Sequence, residues 1–219
     1  MDQPLPRRFG RLVVLLTLSA MLAANSGCVS ALATAVYFIK GPDLPAEFKE
    51  LKEKRVAVVC RPLVGLSYRD AGVAKDLAAE MSRLLRLNIR KIDVVDQRHV
   101  AAWIDENSWE EFAEVGEAVE ADMVVGVDIE EFNIFQGQTV YQGRATVTLT
   151  VVDCQSGEVV FERHPSQIVY PPNSPRSTGD QREADFRREY LRVLADQLAR
   201  HFYPHDPAAD FAMDAAHIP

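Results

Sequence analysis

The stretch from Asp122 to Phe132 constrains the fold most. It opens with the continuous apolar run Met123-Val124-Val125-Gly126-Val127 and then mixes acidic with apolar residues from Asp128 to Phe132. A continuous run suits a strand covered on both faces, and alternation suits one that is half open to water. Before it, strand-like and helix-like segments alternate. After it come two more strand-like runs, Thr139 to Cys154 and Glu158 to Tyr170. The chain is therefore expected to change here from crossover connections to a meander. The fold class that follows is α/β with α+β character: a mixed sheet of about five strands, βαβαβ crossovers and then an antiparallel meander, packed by helices that include a long C-terminal one.

The alternating half carries local signals for each element. Val56-Ala57-Val58-Val59 is a β-branched strand ending at Arg61-Pro62. Asp70 is a plausible N-cap for a helix whose apolar stripe is Val73, Leu77, Met81, Leu84 and Leu85, ending near Asn88. The second strand, Lys91 to Asp96, runs into a short helix from Gln97 to Asp105 that Asp96 can cap. Ser108 and Glu111 have capping-box spacing, and the helix they would open buries Phe112, Val115 and Val119 and closes at Ala121.

In the meander, Ala145, Val147, Leu149 and Val151 share one strand face, and Thr146, Thr148 and Thr150 share the other, less covered face. Asp153 and Gly157 are turn chemistry. Pro171 to Asp180, rich in proline, glycine and serine, is expected to be an exposed loop without a regular element. The last helix, from about Arg182 to Phe202, buries Phe186, Tyr190, Leu194, Leu198 and Phe202.

The N-terminus points to export. Arg7, Arg8 and Arg11 precede the apolar run Leu12 to Ala24, which is short for a spanning helix and of the length of a signal h-region. Ser26-Gly27-Cys28 resembles the bacterial lipoprotein cleavage box, which implies a lipidated Cys28, with Asn25 departing from the usual aliphatic residue. Cleavage after Ala33 or Ala35, or an anchor extended through Val29 to Ile39, are the alternatives the residues leave open. Val29, not aspartate, follows the cysteine, and by resemblance this implies the outer membrane, periplasmic face. The organisation expected is a signal peptide at 1–27, a tether at 28–49, a domain at 50–203 and a flexible tail at 204–219. The chain has 24 basic and 32 acidic residues; without the leader 21 and 31 are left, a net charge of about −10. Such a domain repels phosphate backbones, which argues against nucleic-acid binding.

Taken together, Val56-Ala57-Val58-Val59, Val94-Val95-Asp96, Glu120-Ala121-Asp122 with Val124-Val125-Gly126, and the hairpin Val151-Val152-Asp153 to Ser156-Gly157-Glu158-Val159-Val160 resemble the fold of the TolB N-terminal domain and of CsgG-like secretion lipoproteins. The resemblance implies an envelope protein whose partners are other envelope proteins or copies of itself. Asn133 to Gly143 is too short for an added membrane hairpin, which argues against pore formation.

No reaction centre is evident. There is no nucleophile elbow around Gly65-Leu66-Ser67, no phosphate-binding glycine loop and no metal-ligand pattern; Pro204 interrupts the helix that would align His201 with His205. Glu130 and Glu131, adjacent on a strand, are expected on opposite faces. Cys60 and Cys154 are expected as free thiols at opposite ends of the sheet. The reading reached is a non-catalytic, lipid-anchored interaction component with no cofactor. Its contacts would fall on the terminal strand and following loop, through Phe161, Arg163, Ile168, Tyr170, Asn173 and Arg176. The rival is a small-ligand binder or enzyme using the crevice at the carboxyl ends of the parallel strands, near Arg61, Ser67 and Asp96.

Overall fold

The run of β-branched residues that opens the domain forms β1, Arg55–Pro62. The computed structural model describes residues 44–63 and 72–207, and Pro45–His205 belong to one compact unit. The chain continues through α1 (Val73–Asn88), β2 (Asp93–Val94), α2 (Gln97–Glu106) and α3 (Phe112–Ala118) into β3 (Met123–Phe135). Strands β4 (Val140–Asp153), β5 (Val159–Arg163), β6 (Ile168–Tyr170) and β7 (Arg176–Ser177) follow. The helix α4 (Glu183–Ala199) ends in a 3-10 turn, Arg200–Phe202.

The strand order is β2-β1-β3-β4-β5, with β6 and β7 also on β4. β1 is parallel to both β2 and β3, and every pairing of β4 is antiparallel. Crossovers followed by a meander are therefore what the chain forms. Among the described residues the mixed sheet has seven strands, where about five are expected from the sequence. The run Glu158 to Tyr170 divides into β5 and β6, because Pro165 between them has no N–H to give a ladder. The Pro171 to Asp180 segment contains β7, which pairs Val140 and Tyr141 with Ser177 and Arg176. Thr178 N–H adds a bond of 2.9 Å to the carbonyl of Thr139.

The helix caps also sort out in space. Asp96 caps α2, its carboxylate accepting from Arg98 N–H at 2.9 Å. The capping box of α3 is Glu111 with Glu114, not Ser108 with Glu111. Both pairs have the required spacing, and the turn begins only after Trp109 has packed its ring 5.8 Å from that of Phe112. Glu114 then accepts from Glu111 N–H at 2.9 Å, and α3 closes at Ala118. Asp70 lies outside the described residues, and the residue preceding α1 is Gly72, which makes no side-chain cap.

Each face of the sheet has its own core. On one, α1 and α4 bury the stripes read from their spacing: Leu77, Met81, Leu85, Tyr190 and Leu194 are fully buried against Val58, Val125 and Leu149. Leu84 is half-buried at the margin. On the other face, Val100 of α2 and Phe112 and Val115 of α3 cover Ala57, Val59 and Val124. That second layer stops at β3 and the end of β4, so the threonines at 146, 148 and 150 stay half-exposed.

The Asp96 cap has a pH signature. Hydrogen bonds from the Arg98 side chain and backbone hold its carboxyl down at about 2, against an ordinary 3.8. The folded state therefore binds this proton more weakly than the unfolded chain does. The stability this adds is complete above the ordinary value and is lost as pH falls toward the folded one. In acid titration followed by circular dichroism, Asp96→Asn is expected to lose less stability than the wild type between pH 3.8 and about 2. Equal losses would refute this role.

Candidate functional site

Two places carry chemistry. The first is the crevice at the carboxyl end of β1. β2 ends at Val94, level with Val56, so among the described residues no strand flanks β1 beyond that point on this side. Instead α1 and α2 wall a cavity of about 470 Å³. Its floor is β1 from Val58 to Pro62, and its walls include Ala74, Ala78, Val100, Ala101, Ile104 and Trp109. The volume is in the range of small-ligand pockets, and such crevices are where open α/β sheets bind ligands. Gln97 substitutes for the missing strand, its side-chain amide donating to Val58 C=O at 2.8 Å and to Ser82 Oγ at 2.9 Å. At the rim, Lys75 on α1 pairs with Asp105 on α2 at 2.7 Å.

Arg61 lines this crevice, and each of its three guanidinium nitrogens donates a hydrogen bond. It is opposite Asp128 on β3. Its Nε and Nη2 donate to the two Asp128 carboxylate oxygens at 2.7 and 3.2 Å, and its Nη1 donates to the Glu110 carbonyl. The guanidinium lies 4.7 Å from the ring centre of Phe112 and 5.2 Å from that of Trp109. Of the other residues expected near the crevice, Ser67 lies outside the described residues. Asp96 is bound to Arg98 at the start of α2. Lys75, Gln97 and Trp109 were not singled out in the sequence, and the indole of Trp109 beside an acidic turn was the one available signal.

The second place is the open half of the second face and the β5 edge beside it. A bulge between Ile129 and Glu131 breaks the strand alternation. Glu130 and Glu131 therefore both reach the threonine face, correcting the expectation that they diverge: Thr148 Oγ1 donates to Glu130 at 2.6 Å and Thr146 Oγ1 to Glu131 at 3.4 Å. His164 bridges Thr148 and Glu162, at 2.9 Å each.

The six residues expected to bind partners do not form one surface. Ile168 and Tyr170 are buried in the core. The Tyr170 hydroxyl donates to Glu189 at 2.5 Å, and Arg176 bonds both groups; burial pushes the phenol up to about 12. Phe161 is half-buried against Phe48 and Phe202, with ring centres 5.3 and 5.8 Å away. Arg163 is exposed and pairs with Glu47 at 2.6 Å, and Asn173 is exposed. What β5 does present to solvent is Val159, 55% exposed, and Val160, 41% exposed.

Cys60 and Cys154 are free thiols. Cys60 is level with Val127, and Cys154 follows Asp153, which is level with Met123. Five residues of strand separate them by about 16 Å, beyond bonding reach. Burial raises both thiols, Cys154 to about 11. His201 bonds Glu47, while His205 meets the Tyr203 carbonyl. No acidic, cysteine or histidine cluster of metal-binding geometry occurs among the described residues. Cys28 lies outside them.

No protein-family model matches the chain, and no curated protein matches it. Solved structures do. The PelC dodecamer from Paraburkholderia phytofirmans is 13% identical, with a TM-score of 0.43 over 70% of this chain and 90% of that one. Lipoprotein GNA1162 from Neisseria meningitidis is 10% identical, with a TM-score of 0.41 over 66% and 97%. The LpoB C-terminal domain from Salmonella enterica is 13% identical, with a TM-score of 0.34 over 54% and 82%. At these values none of them assigns a family.

Proposed function

We propose that the chain is a bacterial cell-envelope protein, lipid-anchored at Cys28 on the periplasmic side of the outer membrane, that acts without catalysis by contacting other envelope proteins. The observation that carries the contact is the β5 edge. Among the described residues β5 pairs on one side only, with β4, and it leaves Val159 and Val160 in solvent. An edge strand offers a row of backbone donors and acceptors for strand addition. The anchor rests on the basic leader and on Ser26-Gly27-Cys28. It would confine the domain to one surface, where weak edge contacts gain from local concentration.

A photo-crosslinking residue at Val160, with a second version at the more accessible Leu87 of α1, tests the reading in a bacterial host. Leu87 is 69% exposed. The expected outcome is discrete adducts from position 160 alone, and their loss in Cys28→Ala, which should also lack the lipid mass and leave the membrane fraction. Adducts from both positions or from neither would refute the edge. A Cys28→Ala protein that keeps its membrane partition would refute the anchor.

A further inference from the structure

The cavity beside β1 is a strand edge inside a walled chamber, and its chemistry selects a ligand. Backbone groups along β1 alternate between its two neighbours. The carbonyls of Lys54 and Val56 face β2, accepting from Asp93 and Val95 N–H at 3.0 and 2.9 Å. The carbonyl of Arg55 faces β3, accepting from Asp122 N–H at 2.7 Å, and Leu63 N–H reaches Ile129 there. Val58 continues the first set, and Gln97 takes its carbonyl. By the same alternation, the N–H and C=O of Cys60 turn toward the cavity, side by side, with no strand beyond them among the described residues.

Charge at the walls is balanced. Arg61 is paired with Asp128 and Lys75 with Asp105, so the described residues of the lining offer no uncompensated charge to an ion. The Lys75–Asp105 bond also ties α1 to α2 across the rim. The remaining lining is apolar, from Ala74, Ala78, Val100, Ala101, Ile104 and the larger Trp109.

We propose that this cavity binds a compact, uncharged, largely apolar small molecule that carries a cis amide, as in a lactam, whose N–H donates to the Cys60 carbonyl while its C=O accepts from the Cys60 N–H. The amide satisfies the edge, and the apolar body fills the chamber between the helices. This inference depends on neither the anchor nor the β5 edge.

The Cys60 thiol, itself part of the lining, supplies the readout. On the full-length protein, the rates of N-ethylmaleimide modification at Cys60 and Cys154 are measured by peptide mass. The probes are ε-caprolactam and cycloheptanone, rings of like size of which only the first has an N–H. Caprolactam is expected to slow modification of Cys60 and leave Cys154 unchanged. Cycloheptanone, one hydrogen bond short, should need about fivefold more to match it. In Ala101→Trp, which fills the chamber from a half-exposed helix position, protection by caprolactam should vanish. No protection of Cys60, equal potency of the two rings, or equal slowing of Cys154 would overturn the proposal. The comparison of the two rings uses the unaltered chain, so it stands even if the tryptophan variant folds poorly.

Discussion

Tyr190→Ala is expected to lower the unfolding free energy by about 3–5 kcal/mol, the range for deleting a large buried aromatic ring. Tyr190 is fully buried. Its ring centre lies 5.5 Å from that of Phe132, and its hydroxyl donates to the carbonyl of Ile168 at 2.9 Å. The ring fits only because position 143 of β4 is glycine: a Cβ there would stand 2.4 Å from the Tyr190 Cγ. The void left by alanine is walled by a strand and by the rest of α4, which cannot close over it without breaking the β4–β6 register at Gly143 and Tyr170. Tyr190→Phe keeps the ring and should cost about 1 kcal/mol, the worth of the buried hydrogen bond. Denaturant unfolding of both variants decides it. A midpoint shift with unchanged slope reports stability alone, and a Tyr190→Ala cost no larger than that of Tyr190→Phe would refute the packing described.

Asp128→Ala is expected to cost about 2 kcal/mol. Removing one partner from a fully buried ion pair costs about 3–5 kcal/mol, because the other charge is stranded. Here the Arg61 side chain is 28% exposed and that of Asp128 15%, so water screens part of the loss. The faces of Phe112 and Trp109 hold the guanidinium in place and prevent its escape to solvent. The double variant Arg61→Met with Asp128→Ala should therefore be more stable than Asp128→Ala alone, since no charge is left without a partner. Equal or additive losses in this cycle would show that the pair is already solvated.

How much of this was legible depends on the range of the signal. The stripes of α1 and α4 are local patterns, and Leu77, Met81, Tyr190 and Leu194 are buried where the three- and four-residue steps put them. Asp96 could be read as a cap because its partner, Arg98 N–H, is two residues away. The turn at Asp153 was equally local: its carboxylate accepts from Gln155 and Ser156 N–H, both at 3.0 Å, and Gly157 takes a φ of 74° that suits glycine. Glu130 and Glu131 were misplaced because a bulge is a mismatch between two strands, and nothing in β3 alone announces it. Ile168, Tyr170 and Arg176 looked like an exposed edge and loop. They became core and network once β6 and β7 returned to β4 and met Glu189 on α4.

The amino-acid sequence alone determined the order of the crossover strands and helices, the start of the meander, and which face of each helix is apolar. These are set by interactions between residues a few positions apart, and periodicity records them. Only the tertiary structure decided that β2 stops two residues into its pairing, that Gln97 fills part of the gap, and that Arg61 and Asp128, 67 positions apart, share one site. Those outcomes depend on strand register and on where two helices come to rest across a sheet edge. Register is a property of pairs of distant segments, so no single stretch of the chain contains it.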